Sequence, residues 1–329
     1  MTGSSRSRHG GNVVALCGGI GGAKLALGLS KVIADERLVV AVNTGDDFEH
    51  LGLHISPDVD TVTYTLAGIA NPETGWGRAD ETWNFMESLG RIGGETWFQL
   101  GDRDLALHVE RTRRLRAGDS LSEITADMRA RLGISARILP MSDDPVRTHV
   151  ETDAGPMPFQ NYFVERKCEP ELRSIRFVSA QSARVQPDVA RALGNSDLRC
   201  VIICPSNPYL SVDPILAVGA MRELLRQTRA PVVAVSPLVD GQTVKGPMSK
   251  IMREQDLEAR HATIARHYDD VIDGLMIDSS DDQIPNHIST TVEDTMMHSL
   301  DDKVRLARHV LAFADEISAG RELPQARRA

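Results

Sequence analysis

The short β-rich run Asn12 to Leu16 (NVVAL) empties into CGGIGGAK, and a helical stretch follows from Ala23 to Ala34. On that stretch Leu25, Leu29, Val32 and Ile33 fall on one face. A second apolar run, Leu38 to Val42, comes next. Strand, glycine loop, helix, strand leaves little freedom: the helix is a crossover, so the two strands are parallel and covered on both faces. This is the opening of a doubly wound α/β sheet.

The remaining pattern agrees. Helical spacing predicts helices over 59–69, 80–90, 104–115 and 120–132. The last starts at Ser120-Leu-Ser-Glu123, a capping-box pattern, and aligns Leu121, Ile124, Met128 and Leu132. From His149 to Val178 the chain alternates and turns around Asp153-Ala-Gly155, which predicts antiparallel strands. Strands are then expected at 200–204 (CVIIC), 231–235 (PVVAV) and 274–278 (GLMID), with helices over 213–228 and 302–318. The predicted fold is α/β: a Rossmann-like doubly wound, mostly parallel sheet with a small antiparallel β insertion. Its expected parts are a disordered leader (1–11), a core (12–148 and 179–320), the insertion (149–178) and a frayed tail (321–329).

Charge narrows the partners. The 37 Lys plus Arg against 46 Asp plus Glu give 37 − 46 = −9, which argues against nucleic acid held by bulk charge. No apolar run approaches the ~18 residues of a membrane span, and the polar start MTGSSRSRHGG has no secretory h-region. Four cysteines, Cys17, Cys168, Cys200 and Cys204, form no CxxC pair; buried free thiols in a cytoplasmic protein are expected.

The loop Gly18-Gly-Ile-Gly-Gly22 places backbone N–H groups and a helix N-terminus where a phosphate can sit. It is neither a Walker A loop nor a clean dinucleotide fingerprint, since Lys24 stands where the third glycine belongs. Lys24 is in reach of a phosphate, or is simply exposed. Aspartates come in four close pairs: Asp46 and Asp47, Asp58 and Asp60, Asp102 and Asp104, Asp143 and Asp144. Such a pair is usually a cap or a solvated turn. NTGDD and SPDVDT stand out, because both are expected to face the glycine loop across the crevice of the sheet. Carboxylates opposite a phosphate site call for Mg²⁺, and one of them can orient or deprotonate an attacking hydroxyl. Pro205-Ser-Asn-Pro208 follows a strand and is placed to bond a phosphate or a base edge. No HExxH, GxSxG or Cys/His pattern supports zinc or covalent catalysis.

These stretches resemble the CofD/FbiA family, the phospholactate and related transferases that build coenzyme F(420) from its deazaflavin precursor Fo. The matching segments are GGIGGAK (18–24), VNTGDDFEHLGLHISPDVDTVTYTLAG (42–68), GWGRADETW (75–83), LGDRDLALH (100–108), LPMSDDPVRT (139–148), FQNYFV (159–164), PSNPYLSVDPI (205–215) and VVAVSPLV (232–239). The resemblance implies a homodimeric, Mg²⁺-dependent enzyme using Fo and a guanosine-diphosphate-activated carboxylic acid. The ribityl hydroxyl of Fo attacks the distal phosphorus and GMP leaves. On this resemblance Gly18, Gly19, Gly21 and Gly22 cradle the diphosphate, while Asp46, Asp47, Asp58 and Asp60 supply metal and nucleophile contacts. Asp60 and Gln99 contact the deazaflavin, the latter at a position often Lys in archaeal relatives, and Ser206 and Asn207 contact the nucleotide. Two alternatives stand beside it. One is a nucleotide-sugar-binding regulatory relative; the other is an NAD-dependent oxidoreductase, for which Asn43 stands where an acid belongs.

Overall fold

A computed structural model describes residues 10–243, 246–280 and 284–321; the expected leader up to residue 9 and the tail beyond 321 lie outside the described residues. In chain order the strands are β1 (Asn12–Cys17), β2 (Leu38–Val42), β3 (Phe48–His50), β4 (Leu53–Ile55), β5 (Arg137–Pro140), β6 (Arg147–Thr152), β7 (Gly155–Pro158), β8 (Leu172–Val178), β9 (Leu198–Ile203), β10 (Val232–Val235), β11 (Leu238–Val239), β12 (Gln242–Thr243), β13 (Gly274–Asp278) and β14 (Ser289–Glu293). The helices are α1 (Gly19–Ser30), α2 (Pro57–Ala67), α3 (Asn84–Arg91), α4 (Asp102–Ala117), α5 (Leu121–Arg131), α6 (Pro187–Leu193), α7 (Asp213–Ala217), α8 (Met221–Gln227), α9 (Met248–Glu254), α10 (His261–His267) and α11 (Leu300–Arg321). None is long and apolar enough to cross a membrane.

Seven strands form one sheet in the order β14-β13-β10-β9-β1-β2-β5, parallel throughout. The chain runs outward from β1 through β2 to β5. It then returns to the other side of β1 and runs outward again from β9. The reversal between β1 and β9 opens a crevice at their carboxyl ends, where Gly18 and Pro205 begin the flanking loops. Alternate residues of β1 serve two cores: Val14 and Leu16 pack with α6 to α10, Val13, Ala15 and Cys17 with α1, α2 and α11. α1 and α11 approach closely because position 28 is glycine; a Cβ there would lie 2.1 Å from the Lys303 carbonyl oxygen.

The antiparallel part has the order β7-β6-β8, and Val150, Phe159, Tyr162 and Leu172 anchor it to the first core. Ser120 and Glu123 form the expected capping box. The helix expected over 213–228 is broken between α7 and α8. There Gly219 takes φ +42°, bonds the Ala180 carbonyl at 2.9 Å, and leaves a Cβ no room beside the Ala183 carbonyl. Cys17, Cys200 and Cys204 are buried, Cys168 is half-buried, and all four are free.

Candidate active site

The glycine loop is closed from three sides. Gly18 precedes α1 in extended backbone, and Gly19 has φ +61°. The Gly19 N–H donates to Asp58 Oδ1 at 2.8 Å, while Asn43 Nδ2 donates to Asp58 Oδ2 at 2.9 Å. A carboxylate therefore already sits at the positive end of α1. Ser206 Oγ donates to the Gly18 carbonyl at 2.7 Å and accepts from the Gly18 N–H at 3.3 Å. Asn207 Oδ1 accepts from the N–H groups of Tyr209 and Leu210, capping the π-helical turn Pro208–Val212.

This redistributes the roles expected of the four glycines. A Cβ at Gly18 would lie 2.6 Å from Ser211 Cβ, one at Gly21 2.2 Å from the Pro205 oxygen, and one at Gly22 2.5 Å from Ser206 Oγ. Close packing explains these three. Only at Gly19 would a Cβ meet nothing nearer than 3.8 Å, so the open part of the loop is there. Lys24 donates to the Met297 carbonyl at 3.1 Å. Gly21→Ala is expected to destabilise the protein by about 1–3 kcal/mol through overpacking, seen as a lower urea midpoint. An unchanged midpoint would show that the Pro205 loop yields.

Three buried carboxylates lie beside the loop. Asp47 Oδ2 accepts from Ser56 Oγ at 2.8 Å and contacts His54 Nε2 at 3.1 Å, while its Oδ1 is buried without a partner. Asp46 accepts from the Asn43 side chain and, over a long 3.4 Å, from Thr148 Oγ1; burial pushes its carboxyl well above the ordinary range, with the Asp58 charge adding to this and those bonds opposing it. Burial raises Asp58 to about 6, against the bonds from Asn43 and Gly19 and with the Asp47 charge. Crowded carboxylates and an orphaned oxygen are what a divalent cation relieves. Among the described residues no three His, Cys, Asp or Glu side chains are already gathered around a metal position. A hard divalent cation such as Mg²⁺, which takes one or two carboxylates and completes its shell with other oxygens and water, is a group these residues could hold.

The sign of the pH effect follows. Asp58 binds its proton more tightly folded than unfolded, so its contribution to stability is largest below its ordinary value of 3.8 and is lost as pH rises through about 6. Without divalent cation, the stability of the wild type relative to Asp58→Asn should fall between those limits. Chemical denaturation across that range measures it; a flat difference would show that Asp58 is not raised.

Asp60 does not join this group. Arg111, 2% exposed, grips both its oxygens, Nη1 at 3.1 Å from Oδ2 and Nη2 on Oδ1. His108 bridges onward: Nδ1 lies 3.7 Å from Asp60 and Nε2 3.1 Å from Asp104, which also accepts from the Tyr64 hydroxyl. Asp60, expected as a metal and nucleophile contact, is in this structure an ion-paired anchor between α2 and α4. The other pairs are structural. Asp102 binds Thr82, Asn84 and Phe85, Asp143 binds Ser122, and Asp144 pairs with Arg184.

A groove of ≈ 770 Å³ opens beside the cluster, between the β3–β4 hairpin, the loop at 95–97 and the antiparallel sheet. Phe48, next after Asp47, lines it with His50, Trp97, Arg147 and Glu165. Gln99 is exposed, and its amide donates to the Thr96 carbonyl at 2.7 Å.

A family model described as 2-phospho-L-lactate transferase CofD matches residues 13–314, nearly the whole chain. The chain belongs to the CofD family. It is 40% identical over 318 residues to a phosphoenolpyruvate transferase of Streptomyces griseus, covering 93% of this chain and 99% of the relative. It is 41% identical over 310 residues to a 2-phospho-L-lactate transferase of Methanopyrus kandleri, covering 93% and 98%. A solved UPF0052-family protein from Bacillus halodurans superposes with a TM-score of 0.58 at 15% identity, over 92% of this chain and 98% of the other, and shows the shared fold.

As a CofD-family protein the chain is a transferase, and the oxidoreductase and regulatory alternatives fall away. Residues that the sequence reading left without a site role are Asn43, His54, Ser56 and Arg111. Asp104, His108 and Arg111 sit at helical spacing on one face of α4, which is the signal that could have revealed the second cluster.

Proposed function

We propose that this CofD-family transferase moves a phospho-carboxylic acid unit from its guanosine-diphosphate-activated form to the terminal ribityl hydroxyl of Fo, releasing GMP, in coenzyme F(420) biosynthesis. The unit is 2-phospholactyl, enolpyruvyl-phosphate or phosphoglyceryl; relatives named for two of these acids are about equally similar. The observation that carries the reading is the crowded trio Asp46, Asp47 and Asp58 at the crevice beside α1, with Asp47 Oδ1 unpartnered. Membership in a transferase family supports it.

In this reading the diphosphate lies along the open Gly19 end of the loop. Asp46 and Asp58 hold Mg²⁺, which when bound neutralises the diphosphate and makes the distal phosphorus more electrophilic. Asp47 Oδ1 accepts the proton of the ribityl hydroxyl as its oxygen bonds to phosphorus; the bond to the GMP oxygen breaks, and GMP departs with that electron pair. Ser56 and His54 fix Asp47 so that this oxygen keeps its aim. Ser206 and Asn207 shape the loop beside the nucleotide. The reading carries with it a homodimer, a cytoplasmic location and small-molecule substrates.

GMP release should require both Fo and the activated acid, stop on adding EDTA and return with Mg²⁺. Release that persists without metal would contradict the assignment of Asp46 and Asp58.

A further inference from the structure

His54, whose ring contacts Asp47, is itself held from behind by α4. The β3–β4 hairpin turns through Leu51 and Gly52, both at positive φ (52° and 70°), which is the two-residue turn that suits the twist of a hairpin. Such a turn makes its flanking pair, His50 and Leu53, the hydrogen-bonded one, so the next pair, Glu49 and His54, is not bonded across the strands. The N–H and C=O of His54 therefore point away from β3. Consecutive residues of α4 take both: Thr112 Oγ1 accepts from the His54 N–H at 2.8 Å, and Arg111 Nη1 donates to the His54 carbonyl over a long 3.4 Å.

The Thr112 hydroxyl is fully committed. Its proton goes to the His108 carbonyl one turn back, at 2.7 Å, and the residue is 6% exposed, so its lone pairs meet the His54 N–H rather than water. Beyond His54 the chain of bonds continues. His54 Nε2 lies 3.1 Å from Asp47 Oδ2, which also accepts from Ser56 Oγ, and Asp47 Oδ1 is left without a partner. Asp47 itself stands in the loop between β2 and β3. A functional group on a loop keeps its aim only if a rigid element supports it, and here the support is α4, reached through Thr112 and His54.

We infer that α4 sets the aim of Asp47 and that Thr112 is a positioning residue for the transfer, acting through His54. The inference rests on the proposed function, since it takes Asp47 as the group that accepts the hydroxyl proton.

The test compares wild type with Thr112→Val and Thr112→Ser. Val keeps the shape and removes the hydroxyl; Ser keeps the hydroxyl and removes a methyl. Thr112→Val should lower kcat by roughly tenfold to a hundredfold, the cost of displacing a reacting group by about an ångström, with KM unchanged for Fo and for the activated acid. Thr112→Ser should keep most of the wild-type kcat. A role in packing alone predicts the reverse order, with Ser the worse of the two; that order, or a wild-type kcat in Thr112→Val, would overturn the inference. Circular dichroism confirms that each variant is folded. A second readout needs no turnover: NMR of protein carrying isotope-labelled histidine, with the His54 signals assigned through His54→Gln. Thr112→Val should shift the His54 ring signals, and so should Asp47→Asn; unmoved signals in Thr112→Val would overturn the inference and leave the proposed function standing. A wild type that makes no product removes the proposed function, and the His54 signals then decide the link from α4 to Asp47 by themselves.

Discussion

Asp58→Asn should lower kcat by roughly a hundredfold to a thousandfold, the loss typical of removing one group that stabilises developing charge. Asp58 does two things that an amide cannot do together. It accepts from Gly19 and Asn43 at once, and it supplies negative charge beside Asp46 and Asp47. Asn43 cannot turn over to suit an amide partner, because its Oδ1 already accepts from the Gly45 N–H at 2.7 Å. The substitution therefore sets two donors against each other and removes the charge that a cation needs. Steady-state kinetics at saturating Mg²⁺ measure the effect, and a kcat within threefold of wild type, on the order of experimental scatter against that expectation, would remove Asp58 from the reaction.

Arg111→Met should cost about 3–5 kcal/mol of stability, because it strands a buried carboxylate. Burial already pushes the Asp60 carboxyl above its ordinary range, and the Arg111 charge is the chief influence opposing this. Removing both charges in Asp60→Asn/Arg111→Met should recover much of the loss, so the two effects will not add. Urea denaturation of the four proteins gives the coupling. If Arg111→Met unfolds at the wild-type midpoint, α2 and α4 are held by apolar contacts and the ion pair is incidental.

The fold was legible because β1, β2, β9, β10 and β13 are buried on both faces and read as unbroken apolar runs. The glycine loop then fixed where the chain turns back. The β3–β4 hairpin was not legible: three residues a side give too few alternations to separate a strand from a loop. Nor could spacing show that Gly219 breaks a helix, since the cause is a segment crossing it from residues 180–183.

The site was half legible. Asp46, Asp47 and Asp58 stand in loops at strand ends or in the first turn of a helix, and topology alone brings them to the crevice. Two things escaped. Glycines needed for tight packing and glycines needed for a ligand look alike in sequence; only the contacts of Pro205, Ser206 and Ser211 tell them apart. The ion pair that holds Asp60 could not be read from its neighbours, because Arg111 lies 51 residues away on another helix.

The most direct measurement is mass spectrometry of the products formed by the purified protein from Fo, a guanosine-diphosphate-activated acid and Mg²⁺, repeated for the lactate, enolpyruvate and glycerate donors. The account requires one donor at least to give Fo joined through a phosphodiester to the acid, with one GMP released for each product. Unchanged Fo with all three donors, or donor breakdown without a joined product, would contradict it.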